Sequence, residues 1–209
     1  GLAIYRDFRI LGTHCFEWGG YHITRDVAAG LQVSFEEADE LILEYGISEA
    51  CIHEEFDESS EMSRSESDDM SSRVKLRSNV PGSPSVVDRA DLDGIVYERA
   101  KELLVKVRQH ILARGLTKNL VRGIVLTGGA ASIKKYTDLA EAVFQVPCRI
   151  GMPTGVEVLP NGVESPEFSA SIGIARHAFE FRSAARHGRI EPRGSMVSVS
   201  RRAARFLKR

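Results

Sequence analysis

The stretch IVLTGGAAS, at residues 124–132, limits the possible folds of this chain more than any other segment. Its apolar residues predict a short strand that is buried on both faces, and helical spacing begins after the two glycines. A second strand follows at CRIG and a last helix at EFSASIGIARHAF. Strands that alternate with helices in this way are typical of layered α/β proteins.

The N-terminal region predicts a β-hairpin that is followed by a helix. Residues 2–6 and 9–17 have the composition of two strands with a two-residue turn between them. Residues 21–31 then place apolar side chains on one helical stripe, with Thr24 as the expected N-cap.

Two further helices have clear boundary signals. Ser34 and Glu37 fit a capping box at the start of the first, and Gly46 fits its end. The longest helical pattern covers residues 89–114 and ends at Gly115.

Charge is distributed unevenly along the 209 residues, although the net charge is only −1. Residues 53–70 contain eight acidic residues and one arginine, whereas residues 176–209 contain ten lysines and arginines and two glutamates. The Ser- and acid-rich segment 53–73 has little to bury and predicts a disordered insertion. The near-neutral total gives no whole-molecule field that would favour a nucleic-acid partner.

The sequence has no pattern of a catalytic or metal site. Its three cysteines lie far apart without a CxxC motif, which predicts free thiols in a reducing compartment. The six histidines lack zinc-ligand spacing, and no nucleophile motif is present. We therefore expect no catalytic residues and no metal ligands.

Two observations bear on the extent and location of the protein. No signal peptide and no apolar run of about 18 residues occurs, which predicts that the chain is neither secreted nor membrane-spanning. The chain begins at Gly1, inside what the pattern predicts to be a strand, so we expect a piece of a longer protein.

The C-terminal residues 196–209, MVSVSRRAARFLKR, separate into an apolar and a basic half on a helical wheel. This pattern is typical of a helix that lies in a membrane interface and binds anionic lipid. The alternatives are a frayed basic tail or one that touches nucleic acid through phosphates, but no interleaved aromatic residues support base stacking. The predicted membrane-binding residues are Met196, Val197, Val199, Arg201, Arg202, Arg205, Phe206, Leu207 and Lys208. Residues 181–195 predict a linker.

The double glycine of IVLTGGAAS has two possible functions. Glycines between a buried strand and a helix permit a tight turn, and they also let a flat ligand lie against bare backbone. Spacing alone leaves both interpretations open.

Five segments in order resemble the FtsA family of bacterial cell-division proteins, within the actin-like ATPase superfamily. They are WGGYHITRDVAAGL, ADELILEYG, GIVLTGGAA, RIGMPTGV and SPEFSASIGIA, and the resemblance extends from residue 1 to about 180. It implies the C-terminal half of an actin-like (ribonuclease H-like) α/β fold with an inserted α+β upper subdomain. Residues 1–46 and 121–180 would then form the lower subdomain and residues 47–120 the upper one.

The resemblance also implies a nucleoside-binding side of a cleft. Its residues would be Gly19, Gly20, Asp39, Gly128, Gly129 and Ala130. Two positions depart from the family pattern, since Tyr21 stands where an Asp is usual and Ile42 where a Lys is usual. ATP and Mg²⁺ are implied for a complete family member, but both phosphate loops lie outside this chain. We therefore expect no enzymatic turnover from these residues.

In function, the resemblance implies a cell-division adaptor that links the FtsZ ring to the membrane. Its partners would be the C-terminal tail of FtsZ, further copies in actin-like polymers and anionic lipid, with no nucleic acid. Its location would be cytoplasmic and peripheral, on the inner face of the cell membrane at the division site. The alternative is an actin-like scaffold or pilus-assembly-type ATPase relative that has no role in division. A chaperone-type ATPase fits less well, because no β domain for substrate follows residue 180.

Overall fold

The computed structural model describes residues 1–7, 9–56, 73–76, 84–116, 120, 122–154 and 163–186, which contain six strands and six α-helices. The strands are β1 (Leu2–Arg6), β2 (Arg9–His14), β3 (Arg73–Lys75), β4 (Val86–Asp88), β5 (Ile124–Leu126) and β6 (Cys148–Ile150). The helices are α1 (Gly20–Leu31), α2 (Phe35–Tyr45), α3 (Glu49–Phe56), α4 (Arg89–Ala113), α5 (Tyr136–Phe144) and α6 (Ser169–Arg186). Short 3₁₀ helices at Gly129–Ser132 and Pro166–Phe168 precede α5 and α6. The mixed α/β class predicted from the sequence is confirmed, and the actin-like arrangement of subdomains stays a prediction.

The predicted N-terminal hairpin is confirmed with a shorter second strand. β1 and β2 pair antiparallel, with Leu2 opposite His14 and Arg6 opposite Arg9. The register shifts between Ile4 and Tyr5, where the ladder contains a bulge. β2 ends at His14, opposite Leu2, rather than at residue 17.

The two predicted strands β5 and β6 are confirmed, and they pair parallel, with Ile124 opposite Cys148. The expectation that β5 is buried on both faces is wrong. Val125 is 49% exposed, and Ile150, which pairs with Leu126 and therefore lies on the opposite face of the two strands, is 42% exposed. α5 packs against β6, and among the described residues β5 has β6 as its sole strand partner, so the other face and edge of this pair are open.

The boundaries of α1 and α2 have different outcomes. Ser34 and Glu37 form the predicted capping box, in which the Glu37 backbone N–H donates to Ser34 Oγ at 3.2 Å and the Ser34 N–H donates to Glu37 Oε2 at 3.0 Å. Gly46 ends α2 with φ +69°. The predicted N-cap Thr24 is wrong, because α1 begins one turn earlier behind Gly19 and Thr24 is buried within the helix.

α4 is the predicted long helix, and it organises the core. Asp88 caps it by accepting a hydrogen bond from the Ala90 N–H at 2.9 Å. Its buried face includes Leu92 and Val96, which are fully buried, and it packs against α1, α5 and α3. The sequence assigns α4 to the upper subdomain, yet α1 and α5 belong to the predicted lower one. The subdomain boundaries stay a prediction.

Two predicted irregular segments are partly regular. The insertion predicted at 53–73 begins inside α3, which continues to Phe56, and ends in β3, which pairs with β4. Residues 57–72 lie outside the described part. α6 continues to Arg186, so the first residues of the predicted linker 181–195 are helical, and the rest of that linker and the predicted tail helix 196–209 lie outside the described residues. No helix in the described part is long and apolar enough to span a bilayer.

Candidate functional site: two glycine turns and the exposed face of α2

The turn after β5 is held by hydrogen bonds from both sides. Gly128 has φ +92°, a conformation that favours glycine, and its N–H donates to the Pro166 carbonyl at 2.9 Å. Thr127 Oγ1 donates to the Gly151 carbonyl at 2.9 Å and lies 2.7 Å from Ser169 Oγ. The turn is therefore fastened to the end of β6 and to the start of α6, while Gly129 at its tip is exposed.

The Gly19–Gly20 turn lies directly against this first turn. A Cβ on Gly20 would be 3.0 Å from Ala130 Cβ, a separation so tight that Ala130 would have to move by a few tenths of an ångström. At the base of α1 the His22 N–H donates to the Gly19 carbonyl at 2.9 Å, and the Gly19 N–H donates to His22 Nδ1 at 3.2 Å. The structure thus brings together two groups of residues that are more than a hundred positions apart in sequence. The first is Gly19 and Gly20, and the second is Gly128, Gly129 and Ala130.

Asp39 occupies the exposed face of α2 and joins α2 to α1. Thr24 Oγ1 of α1 donates to Asp39 Oδ1 at 3.4 Å. This contact gives the buried Thr24 hydroxyl an acceptor and orients the carboxylate. The second carboxylate oxygen can accept hydrogen bonds from a ligand hydroxyl.

Ile42, at the position where the family pattern has a Lys, belongs to the hydrophobic core. Its side chain is 2% exposed, and it clusters with Ala38 and Leu41 on the buried face of α2. Compared with the lysine that the resemblance implies at this position, Ile42 supplies a core contact and no cation.

An exposed aromatic pair beside the glycine turns was not predicted. Tyr21 and Phe35 begin α1 and α2, their ring centroids are 5.1 Å apart, and they are 63% and 38% exposed. Phe35 precedes Asp39 by one helical turn, and Leu43, which is 42% exposed, follows it by another. The signal was present in the sequence as Phe35 and Leu43, which lie two helical turns apart on the face opposite Leu41, but this spacing did not show that Tyr21 would contact Phe35.

These features form one surface, made of the two glycine turns, Tyr21, Phe35 and Asp39, whose chemistry is complementary to a nucleoside. Bare backbone and aromatic rings suit a flat apolar ring, and a carboxylate suits hydroxyl donors. No group of three or more histidine, cysteine or acidic side chains converges within the described part of the chain. The residues fit the nucleoside portion of a nucleotide. The lysine that the resemblance implies would have added a hydrogen-bond donor at position 42, and Ile42 supplies none.

A separate cleft of about 420 Å³ lies between α4 and residues 14–18. It is lined by His14, Cys15, Phe16, Glu17, Trp18, Leu103 and Lys106. None of the predicted site residues contributes to it.

Comparison with known proteins gives one consistent family. The family model described as cell division protein FtsA matches residues 1–173. The cell division protein FtsA of Agrobacterium fabrum is 29% identical over 173 residues, which are 83% of this chain and 36% of that protein. The FtsA proteins of Pseudomonas aeruginosa and Bacillus subtilis are 26% and 27% identical over 87% and 85% of this chain. The chain spans 36–40% of the length of these relatives.

Proposed function

The chain belongs to the FtsA family of cell-division proteins, and from that premise we propose that it forms part of a division adaptor. In this proposal the adaptor links the FtsZ ring to the cytoplasmic membrane through an actin-like body whose assembly responds to nucleotide. The observation that carries the proposal is the contact between Gly20 and Ala130. It joins two turns that both lie within the segment matched by the family model, and it forms one surface with the chemistry that a nucleoside requires.

The nucleotide part of the proposal uses this chain for the nucleoside side. The base lies on the backbone of the glycine turns and against Tyr21, while Asp39 accepts hydrogen bonds from ribose hydroxyls. Phosphates and Mg²⁺ need backbone N–H groups and further ligands from the rest of the complete protein. In this role ATP controls self-association into polymers, and the residues of this chain perform no turnover.

The partner part of the proposal concerns FtsZ. We place the docking site for the FtsZ C-terminal tail in the predicted upper subdomain, residues 47–120. Membrane attachment is assigned to residues 196–209, which puts the protein at the inner face of the membrane at the division site.

Co-sedimentation tests the assignment to division. The full-length parent protein is mixed with polymerised FtsZ, and a second mixture contains FtsZ that lacks its C-terminal tail. We expect the parent to pellet with intact FtsZ and to stay in the supernatant with the truncated form. Equal amounts in the supernatant in both mixtures would reject the division role and favour a scaffold unrelated to FtsZ.

A further inference from the structure

The chain leaves β2 at His14 and crosses α4 through a row of aromatic contacts. We call residues 14–18 the crossing segment. The His14 ring is stacked on His110 of α4, with centroids 3.9 Å apart and an interplanar angle of 27°. Phe16 contacts both imidazoles edge-on, at 4.7 Å from His14 and 5.5 Å from His110. We call the contacts among these three rings the first fastening of the segment to α4.

Trp18 forms the second fastening, against residues of α4 that lie one to three turns before His110. Lys106 Nζ lies 3.3 Å from the centroid of the Trp18 ring, and Arg99 approaches the same ring at 5.3 Å. Glu102 holds both cations, with oxygens 2.7 Å from Lys106 Nζ and 2.6 Å from Arg99 Nη1. Between the two fastenings lies the cleft of about 420 Å³, so the segment is bound to α4 through its rings and not by continuous packing.

The first fastening is suited only to a neutral His110. His110 Nε2 is buried and has no hydrogen-bond partner among the described residues, so a proton added there would lack an acceptor. The charged groups around it are cationic, since Arg114 follows one turn later on α4, Lys106 precedes it by one turn, and His14 faces it from β2. Glu17 is the acidic residue of the crossing segment, and it lines the cleft three positions beyond His14.

The titration of His110 agrees with this geometry. Burial lowers the pKa of His110 below its ordinary value of 6.5, and positive charge on His14 and Arg114 lowers the pKa further. The open state, in which His110 is hydrated, therefore binds a proton more readily than the closed state. The closed contact has its full stability above pH 6.5 and loses stability as the pH falls below that value.

We propose that the crossing segment is a pH-sensitive clasp, closed on α4 by the stacked rings of His14 and neutral His110 and released when His110 is protonated. A charge on His110 lies 3.9 Å from the second imidazole, whose positive charge disfavours it, and among the described residues no ion pair joins either ring to an acidic side chain. Release frees residues 14–17 and leaves Trp18 in contact with α4 only through Lys106 and Arg99, which exposes more of its ring, while α4 stays in the core.

The clasp controls the turn that follows it. Trp18 is joined directly to Gly19 and Gly20, and its ring is stacked on His22 at a centroid distance of 5.9 Å. An open clasp removes the anchor on one side of the Gly20–Ala130 contact. The clasp itself is independent of which ligand binds at the glycine turns, so its test does not depend on the proposed function.

Trp18 is the single tryptophan of the chain and lies within the clasp, so its fluorescence reports on opening directly. The full 209-residue chain is titrated from about pH 8 to about pH 5, the range in which histidines change charge. Emission maximum and acrylamide quenching report the exposure of Trp18, and far-UV circular dichroism reports the helices. We expect a red shift and stronger quenching with a midpoint below 6.5, at constant helical signal.

Three variants separate the clasp from other causes. His110→Phe keeps a stacking ring that cannot be protonated, so its emission is expected to be independent of pH. In His14→Phe the neighbouring positive charge is absent, so the pKa of His110 in the closed state returns toward its ordinary value, protons favour the open state less, and the transition weakens and moves to lower pH. His22→Gln removes the imidazole stacked on Trp18 while it keeps an acceptor for the Gly19 N–H, and the transition persists.

The following results would overturn the clasp. They are a wild-type chain without a transition, a transition that survives in His110→Phe, a transition that vanishes in His22→Gln, or a loss of helical signal at the same midpoint. If His110→Phe does not fold, the direction of the midpoint shift in His14→Phe decides, and an unchanged midpoint there counts against the clasp.

Discussion

Replacing Ile42 by Lys restores the residue type of the family pattern, and we expect it to destabilise the fold without adding a ligand contact. Ile42 is 2% exposed and lies between α2 and the rest of the core. Removal of such an aliphatic side chain costs about 2–5 kcal/mol, and a lysine adds the desolvation of its ammonium group. Because a long side chain reaches partly toward solvent, the total is expected to be about 3–5 kcal/mol.

Urea unfolding measures this loss, with Trp18 fluorescence and far-UV circular dichroism as probes. A slope of about 2 kcal/mol/M converts the expected loss into a fall of about 1.5–2.5 M in the urea midpoint. The matched control is Leu43→Lys at the next position, where the side chain is 42% exposed and the cost is expected to be about 0.5 kcal/mol or less.

A dependence on pH distinguishes a buried lysine from a simple cavity. The ammonium is protonated in the unfolded chain and disfavoured in the core, so the pKa of the introduced lysine falls on folding. The stability of Ile42→Lys should therefore rise between neutral and alkaline pH relative to that of Ile42→Ala. Equal midpoints for Ile42→Lys and Leu43→Lys would refute the assignment of position 42 to the core.

Two further predictions concern the glycine contact and the tail. Gly20→Val places a branched side chain against Ala130 and should lower the free energy of unfolding, measured in urea, by about 1–3 kcal/mol. The control Gly19→Ala adds a Cβ with no neighbour within 4 Å and should lower it by less than about 1 kcal/mol. Similar losses for both variants would contradict the contact. Flotation with anionic liposomes should require residues 196–209, whose five basic residues contribute at most about 5 kcal/mol in total. Flotation that persists after their deletion, or on neutral liposomes, would reject the membrane role.

Local signals in the sequence predicted the elements whose stabilising contacts are close in sequence. The Ser34–Glu37 capping box and the Gly46 stop are examples, since all their bonds lie within one helical turn of the ends. Thr24 shows the limit of this reasoning. It has the chemistry of an N-cap, yet α1 begins after Gly19, and the Thr24 hydroxyl donates a hydrogen bond to Asp39 on α2 instead.

The expected burial of β5 failed for a related reason. Val, Ile and Leu in succession suit a strand, but the covering of each face depends on which strands and helices lie beside it. In the described structure β5 pairs with β6 alone, and Val125 is half exposed. Composition could not supply that information.

For the candidate site, the sequence by itself determined the family and the glycines at both turns. Glycines are visible in a sequence because their lack of a side chain is a local property. Only the tertiary structure decided that Gly20 meets Ala130, that Ile42 points into the core, and that Tyr21 joins Phe35. The same holds for His14 and His110, which are 96 positions apart. Such contacts depend on how the helices and strands pack, and the spacing of residues along one segment carries no record of the segment that will lie against it.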